Sequence, residues 1–183
     1  MVLLAGAGCS STPAESPAPT TPPPAAQLAA PELSLAEQAD VKKLDEYLKT
    51  HKIPDPKLSN KIVTADRRFN GALNRSGLLV KIHAPTGTAG GVLIMEHAGK
   101  NYVVFDEVFT VPNGPELQVY LTKNNGITTR QDVVNGGVLL GKLKSTINKQ
   151  VYEISTADDW REYHSVTIYS AMFNLPWAFA PLK

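Results

Sequence analysis

Four histidines are the side chains best suited to hold a metal ion or a haem iron: His51, His83, His97 and His164. No two of them stand two or four residues apart, and no His-Glu-x-x-His sequence occurs. Local spacing therefore places no pair of imidazoles on one face of a strand or helix. We predict no metal site, although histidines distant in sequence can still meet in a folded domain.

Groups for nucleophilic or general acid–base catalysis are equally scattered along the chain. No Gly-x-Ser-x-Gly sequence occurs, and two adjacent carboxylates, Asp158 and Asp159, would point to opposite faces of a strand. The sequence Asp158-Asp-Trp-Arg161 fits a short helical turn capped by an acidic side chain. We predict no catalytic residue and expect that the chain is not an enzyme.

Charge and composition exclude several classes of partner. The chain has 18 Lys and Arg against 17 Asp and Glu, a net charge of +1. Such a balance lacks the basic surface that binds nucleic acid. No apolar run reaches the roughly 20 residues that span a bilayer, and a single cysteine cannot form an internal disulfide.

The only cysteine, Cys9, follows the small and apolar run Met-Val-Leu-Leu-Ala-Gly-Ala-Gly. Residues 1–9 resemble the end of a bacterial lipoprotein signal peptide, which is cut before a cysteine that then receives acyl chains. The resemblance implies an exported protein of a bacterial cell envelope, anchored to a membrane through lipidated Cys9. A complete signal carries a basic n-region, so we expect an in-frame start codon further upstream. The alternative is a cytosolic protein in which Cys9 is an ordinary thiol.

Residues 10–32 are dominated by Pro, Ala, Ser and Thr. Such a composition buries too little apolar surface to offset the entropy lost on ordering the chain. The three prolines at 22–24 favour an extended polyproline II conformation. We predict a disordered tether that holds a folded domain away from the membrane.

A helix is predicted over residues 33–51. Ser34 and Glu37 have the spacing of a capping box, and Val41, Leu44 and Leu48 recur at helical intervals. We expect this apolar stripe to dock on the neighbouring domain. A helix that binds a separate partner is the alternative.

From residue 60 to 183 the pattern becomes that of short strands. Leu78, Val80 and Ile82 alternate with other residues as in a half-buried strand. Turn residues separate such runs at roughly ten-residue spacing, without intervening helices. Residues 74–77, Asn-Arg-Ser-Gly, are predicted to be a turn. The pattern predicts an all-β fold, an antiparallel β-sandwich.

The most aromatic segment runs from Met172 to Leu182 and contains Trp177 and Phe179. Aromatic side chains of this size bury large apolar areas. We predict that they close one end of the sandwich core, with a patch for a hydrophobic ligand as the alternative.

Three sequence blocks between Phe69 and Leu182 carry a family resemblance. They contain, in order, Tyr102-Val-Val-Phe-Asp106 with Asn113-Gly-Pro-Glu-Leu117, then Asn148-Lys-Gln-Val-Tyr-Glu-Ile154, then Ser165-Val-Thr-Ile168 with Ala180-Pro-Leu182. They resemble the DM-thirteen (DM13) domain, an electron-transfer module that accompanies DOMON domains in animal proteins and stands alone in many bacterial envelope proteins. The resemblance implies a β-sandwich and a redox role.

The resemblance also marks one site position. The family carries a cysteine in its last strand, in the pattern Val-x-Ile-aromatic-Cys, where this chain has Val166-Thr-Ile-Tyr-Ser170. Serine has no accessible redox couple and is a poor ligand for haem iron. By strand alternation Ser170 shares an inward face with Ile168 and Met172. There we expect its hydroxyl to bond a backbone carbonyl.

These observations leave more than one function hypothesis. We favour a non-catalytic binding or structural module without a cofactor, whose partners are the membrane, through Cys9, and an unidentified protein or small molecule. The alternative, implied by the resemblance, is an electron-transfer module with a bound haem or other redox cofactor. His83, His164 and Met172 are then the candidate ligands. A hydrolase with a site assembled from loops is the weakest of the three.

Overall fold

The computed structural model describes residues 33–53, 66–127 and 129–183. The proposed lipid-attachment residue Cys9 and the predicted tether 10–32 lie outside the described residues, as does the start of the predicted sandwich at residue 60. Within the described residues, no helix combines the length and hydropathy needed to cross a membrane.

The predicted N-terminal helix is confirmed as α1, Leu35–Thr50. Its capping box forms as expected: the Ser34 hydroxyl accepts from the Glu37 amide at 3.3 Å, and the Glu37 carboxylate accepts from the Ser34 amide at 3.1 Å. Leu44 is fully buried in the core of the domain, and Val41 and Leu48 pack against the same core. Helix α1 is therefore part of the folded unit.

The described residues contain nine strands: β1 (Ala72–Leu78), β2 (Val80–Lys81), β3 (Gly91–His97), β4 (Lys100–Phe105), β5 (Leu117–Thr122), β6 (Val138–Lys142), β7 (Gln150–Glu153), β8 (Ser165–Ser170) and β9 (Leu175–Pro181). A short helix α2, Arg130–Val134, precedes β6, and a single turn of 3-10 helix, Trp160–Glu162, precedes β8. Residues 66–68 are also helical.

The strands form two antiparallel sheets, one of four strands in the order β1-β3-β4-β7 and one of five in the order β2-β9-β8-β5-β6. Inward side chains of both sheets share one core. Phe105 of the first sheet and Trp177 of the second are among its largest fully buried members. The predicted antiparallel β-sandwich is thus confirmed.

Strand β8 is buried on both faces, which positions the candidate site inside the protein. Val166 and Ile168 pack in the core between the sheets. Tyr169, on the opposite face, packs with Ile127 and with Val133 of α2.

Helix α2 was not predicted, because five residues are too short to establish a helical period. Its capping box, Thr129 with Asp132, was the local signal that could have shown it.

The predicted alternation of Leu78, Val80 and Ile82 within one strand is wrong. The chain leaves the first sheet after Leu78 and enters the second at Val80, so Leu78 is 74% and Val80 47% exposed. Leu79 between them packs against the core instead. The predicted turn at residues 74–77 is also wrong, since these residues belong to β1 and a bulge after Leu73 shifts their register.

Candidate functional site

Ser170 is the last residue of β8 and lies between Leu117 of β5 and Leu175 of β9. Its side chain is fully buried, and its hydroxyl donates to the Pro115 carbonyl at 2.8 Å. This is the bond to a backbone carbonyl that strand alternation led us to expect. A buried carbonyl without a partner costs roughly 1–3 kcal/mol, so the hydroxyl stabilises the loop that carries Pro115.

That loop, residues 112–116, is fixed by Trp177 as well as by Ser170. The Trp177 indole N–H donates to the Pro112 carbonyl at 3.0 Å. A Cβ on Gly114 would lie 2.8 Å from the indole ring, closer than van der Waals contact permits. Glycine is therefore required where the loop crosses Trp177. The predicted role in closing the core is confirmed for Trp177 by its full burial. It is wrong for Phe179, which packs on the outer face of the sheet against the cluster of Ile127, Val133 and Tyr169.

Tyr169, the neighbour of Ser170, packs with Ile127 and Val133 on the face of β8 that points away from the core. Its ring centroid lies 5.6 Å from that of Tyr120 in an edge-on arrangement. Burial, followed by the proximity of Tyr120, raises the pKa of Tyr169 to about 12. Tyr169 is therefore neutral at physiological pH and supplies apolar packing beside Ser170.

The two histidines proposed as cofactor ligands lie at opposite ends of β9. The His83 ring Nδ1 is 2.9 Å from the Pro176 carbonyl, whereas the Leu182 amide donates to the His164 carbonyl at 2.8 Å. Pro176 and Leu182 are six residues apart, or about 20 Å along an extended strand. The fold does not bring His83 and His164 together.

Met172 lies in the turn between β8 and β9 and is 50% exposed. The expectation that it shares the inward face of Ser170 is wrong, because β8 ends at Ser170 and the chain then turns away. The Ala171 amide bonds the Glu116 carbonyl, and Asn174 adopts a positive φ of 53°. Met172 is nearer to the His83 end of the sheet than to the His164 end.

The remaining polar candidates have local roles. His51 stacks on Tyr47 with ring centroids 4.0 Å apart, and His97 lies 5.4 Å from the ring of Phe69. Asp159 accepts from the Arg161 amide and caps the 3-10 helix, as predicted. Within residues 33–53, 66–127 and 129–183, no group of three or more His, Cys, Asp or Glu is arranged to hold a metal ion.

Sequence reasoning identified Ser170 but not its partner. The Pro115 carbonyl is 55 positions away in the chain, and a backbone carbonyl gives no sequence signal. A second missed contact joins α1 to α2, because the Glu37 carboxylate accepts from the Arg130 amide at 2.9 Å. Neither contact follows from local spacing.

Comparison with known proteins identifies the region that contains this site. A family model described as electron transfer DM13 matches residues 80–182, more than half of the chain. Strands β2 to β9 all lie within that range, whereas α1 and β1 precede it. No curated protein and no solved structure matches the chain. The chain belongs to the electron transfer DM13 family.

Proposed function

We propose that this DM13 protein is an exported lipoprotein, anchored to a bacterial envelope membrane through Cys9. Its sandwich domain acts as a non-catalytic binding or structural module. The tether of residues 10–32 would hold this module away from the membrane surface. The proposal for the domain and the proposal for the anchor rest on different residues and are tested separately.

One observation carries the proposal for the domain. Ser170 occupies the position at which the family resemblance places cysteine, and its buried hydroxyl is committed to the Pro115 carbonyl. A hydroxyl in this setting anchors a loop, and it offers neither a thiolate nor a redox couple. This supports a family member that keeps the fold while strand β8, at Ser170, contributes packing and a loop contact instead of redox chemistry.

Electron transfer is the second candidate function, because the matching family model is described by that activity. A haem iron held by two histidines does not fit this chain, since His83 and His164 lie at opposite ends of β9. His83 with Met172, at one end of the sheet, is the remaining combination that the sequence proposed.

A haem and redox titration of the purified full-length chain separates the two functions. We expect no sharp Soret band that depends on His83, His164 or Met172, and no reversible couple in voltammetry. The variants His83→Ala, His164→Ala and Met172→Leu identify a specific ligand, and Ser170→Cys restores the thiol at the family position. A reversible couple in the unaltered protein, or a Soret band abolished by one ligand variant, would reject the binding-module proposal.

The anchor is tested by cell fractionation of the protein expressed with its native upstream coding region. We expect the unaltered protein in the membrane fraction and the Cys9→Ser variant in the soluble fraction, because the variant cannot receive acyl chains. Ser10→Ala is the matched control and should stay with the membrane. Membrane retention of Cys9→Ser would contradict the lipid anchor.

A further inference from the structure

We propose that a hollow beside Trp160 is a binding site for a neutral saccharide. The hollow has a volume of about 420 Å³ and lies at one end of the four-stranded sheet. Asn101 of β4, the loop after β7 and Trp160 form its walls. This size falls within the roughly 300–1,000 Å³ of small-molecule sites. The inference rests on the proposed function, because it names a ligand class for the binding module.

The indole ring of Trp160 is held in place by its neighbours. The guanidinium carbons of Arg161 and Arg75 lie 4.9 Å and 5.4 Å from the ring centroid. Arg75 is itself fixed, because its Nη1 donates to the Tyr163 carbonyl at 2.9 Å. A half-buried ring positioned in this way forms part of the site before the ligand arrives, which reduces the entropy lost on binding.

Two donors at the hollow have no acceptor among the residues that the structure describes. The indole N–H of Trp160 and the Nδ2 amide of Asn101 make no hydrogen bond to any residue that the structure describes. The side-chain oxygen Oδ1 of Asn101, in contrast, accepts from the Asn74 Nδ2 amide at 3.4 Å. Indole rings with an accessible N–H are well suited to ligands that are apolar on one side and polar on the other. The unpaired donors fit the hydroxyl oxygens of such a ligand.

The charges around the hollow balance one another. Lys100 pairs with Glu153 at 2.6 Å, and Arg161 pairs with Asp159 at 3.3 Å. Arg75 and Asp158 add one further charge of each sign. A strongly charged ligand would meet like charges as well as opposite ones. A polyhydroxyl ligand, which donates and accepts at every position, meets partners of both kinds without net charge.

The test is a titration of the protein with neutral tetrasaccharides built from glucose, mannose or N-acetylglucosamine. Calorimetry and tryptophan fluorescence measure the binding. The chain contains two tryptophans, and Trp177 is fully buried, so a fluorescence response reports on Trp160. We expect saturable binding of at least one neutral probe. In Trp160→Phe, which keeps an aromatic ring but lacks the N–H, calorimetry should show weaker binding of the same probe, since this variant no longer carries the reporting indole.

Loss of one hydrogen bond in Asn101→Ala should weaken binding about three- to tenfold. Asn125→Ala, at an exposed site elsewhere, is the matched control and should bind normally. No heat and no fluorescence change at millimolar probe, an unaltered calorimetric affinity in Trp160→Phe, or tighter binding of tetragalacturonate would each overturn the inference. If the saccharide titration and the redox titration were both negative, the saccharide inference would be rejected. The proposal that the domain is a non-catalytic module would still stand.

Discussion

Replacing Trp177 by alanine is expected to lower the free energy of unfolding by about 3–5 kcal/mol. Trp177 is fully buried between the sheets, and its indole N–H holds the Pro112 carbonyl. The substitution removes a large apolar side chain, leaves a cavity beside Gly114, and breaks that hydrogen bond. Because domains are stable by only about 5–15 kcal/mol, this substitution should remove a large fraction of the total stability.

Urea unfolding followed by circular dichroism measures this loss without using tryptophan emission. Trp177→Phe keeps most of the ring and removes the N–H, so its free energy of unfolding should fall by much less than that of Trp177→Ala. Leu78→Ala, at a side chain that is 74% exposed, is the control and should change stability by less than about 0.5 kcal/mol. Equal midpoints for Trp177→Ala and Leu78→Ala would show that the indole does not support the core.

Replacing Glu37 by alanine is expected to destabilise the protein by about 1–3 kcal/mol. The Glu37 side chain is only 2% exposed, and its carboxylate serves the first turns of two helices. It accepts from the Ser34 hydroxyl at 2.7 Å and from the Arg130 amide at 2.9 Å. Hydrogen exchange should accelerate first in α1, since Glu37 and Leu44 hold that helix on the domain.

The same carboxylate gives a pH dependence with a definite sign. Burial would raise the pKa of Glu37, but hydrogen bonds from the Ser34 hydroxyl and from the Arg130 and Ser34 amides hold that pKa below the ordinary 4.5. The contribution to stability is therefore complete above pH 4.5 and is lost as the pH falls through the lower pKa of the folded protein. The stability difference between the unaltered protein and Glu37→Gln should shrink over that range.

Glu46→Gln, at an exposed position of the same helix, is the matched control for this pH series. Its stability should follow that of the unaltered protein at every pH. If Glu37→Gln and Glu46→Gln gave superimposable curves of stability against pH, the proposed bridge between α1 and α2 would not operate in solution.

Local patterns allowed part of this fold to be predicted. The capping box of Ser34 and Glu37 and the stripe through Leu44 specify a helix within a few consecutive turns, and α1 begins and ends almost where they indicate. Strand alternation likewise placed Ser170 on an inward face, because alternate residues of a strand point to the same side. These features depend on neighbours along the chain, which a sequence pattern records directly.

Alternation failed where the chain changes sheets. Between Leu78 and Val80 one residue links two strands of different sheets, and a period of two has no meaning across that junction. It failed again at Met172, beyond the end of β8. In both cases the position of neighbouring strands, not the local sequence, decides which side chains face the core.

By itself the sequence determined the fold class, the capped helix and the family, and it singled out Ser170 as an inward-facing residue. Only the tertiary structure decided what surrounds that serine and how far apart the candidate ligands lie. Pairing of β5, β8 and β9 brings the Pro115 carbonyl to Ser170 and separates His83 from His164 along β9. Such distances arise because strand order joins residues that are remote in the chain, so no spacing within one sequence encodes them.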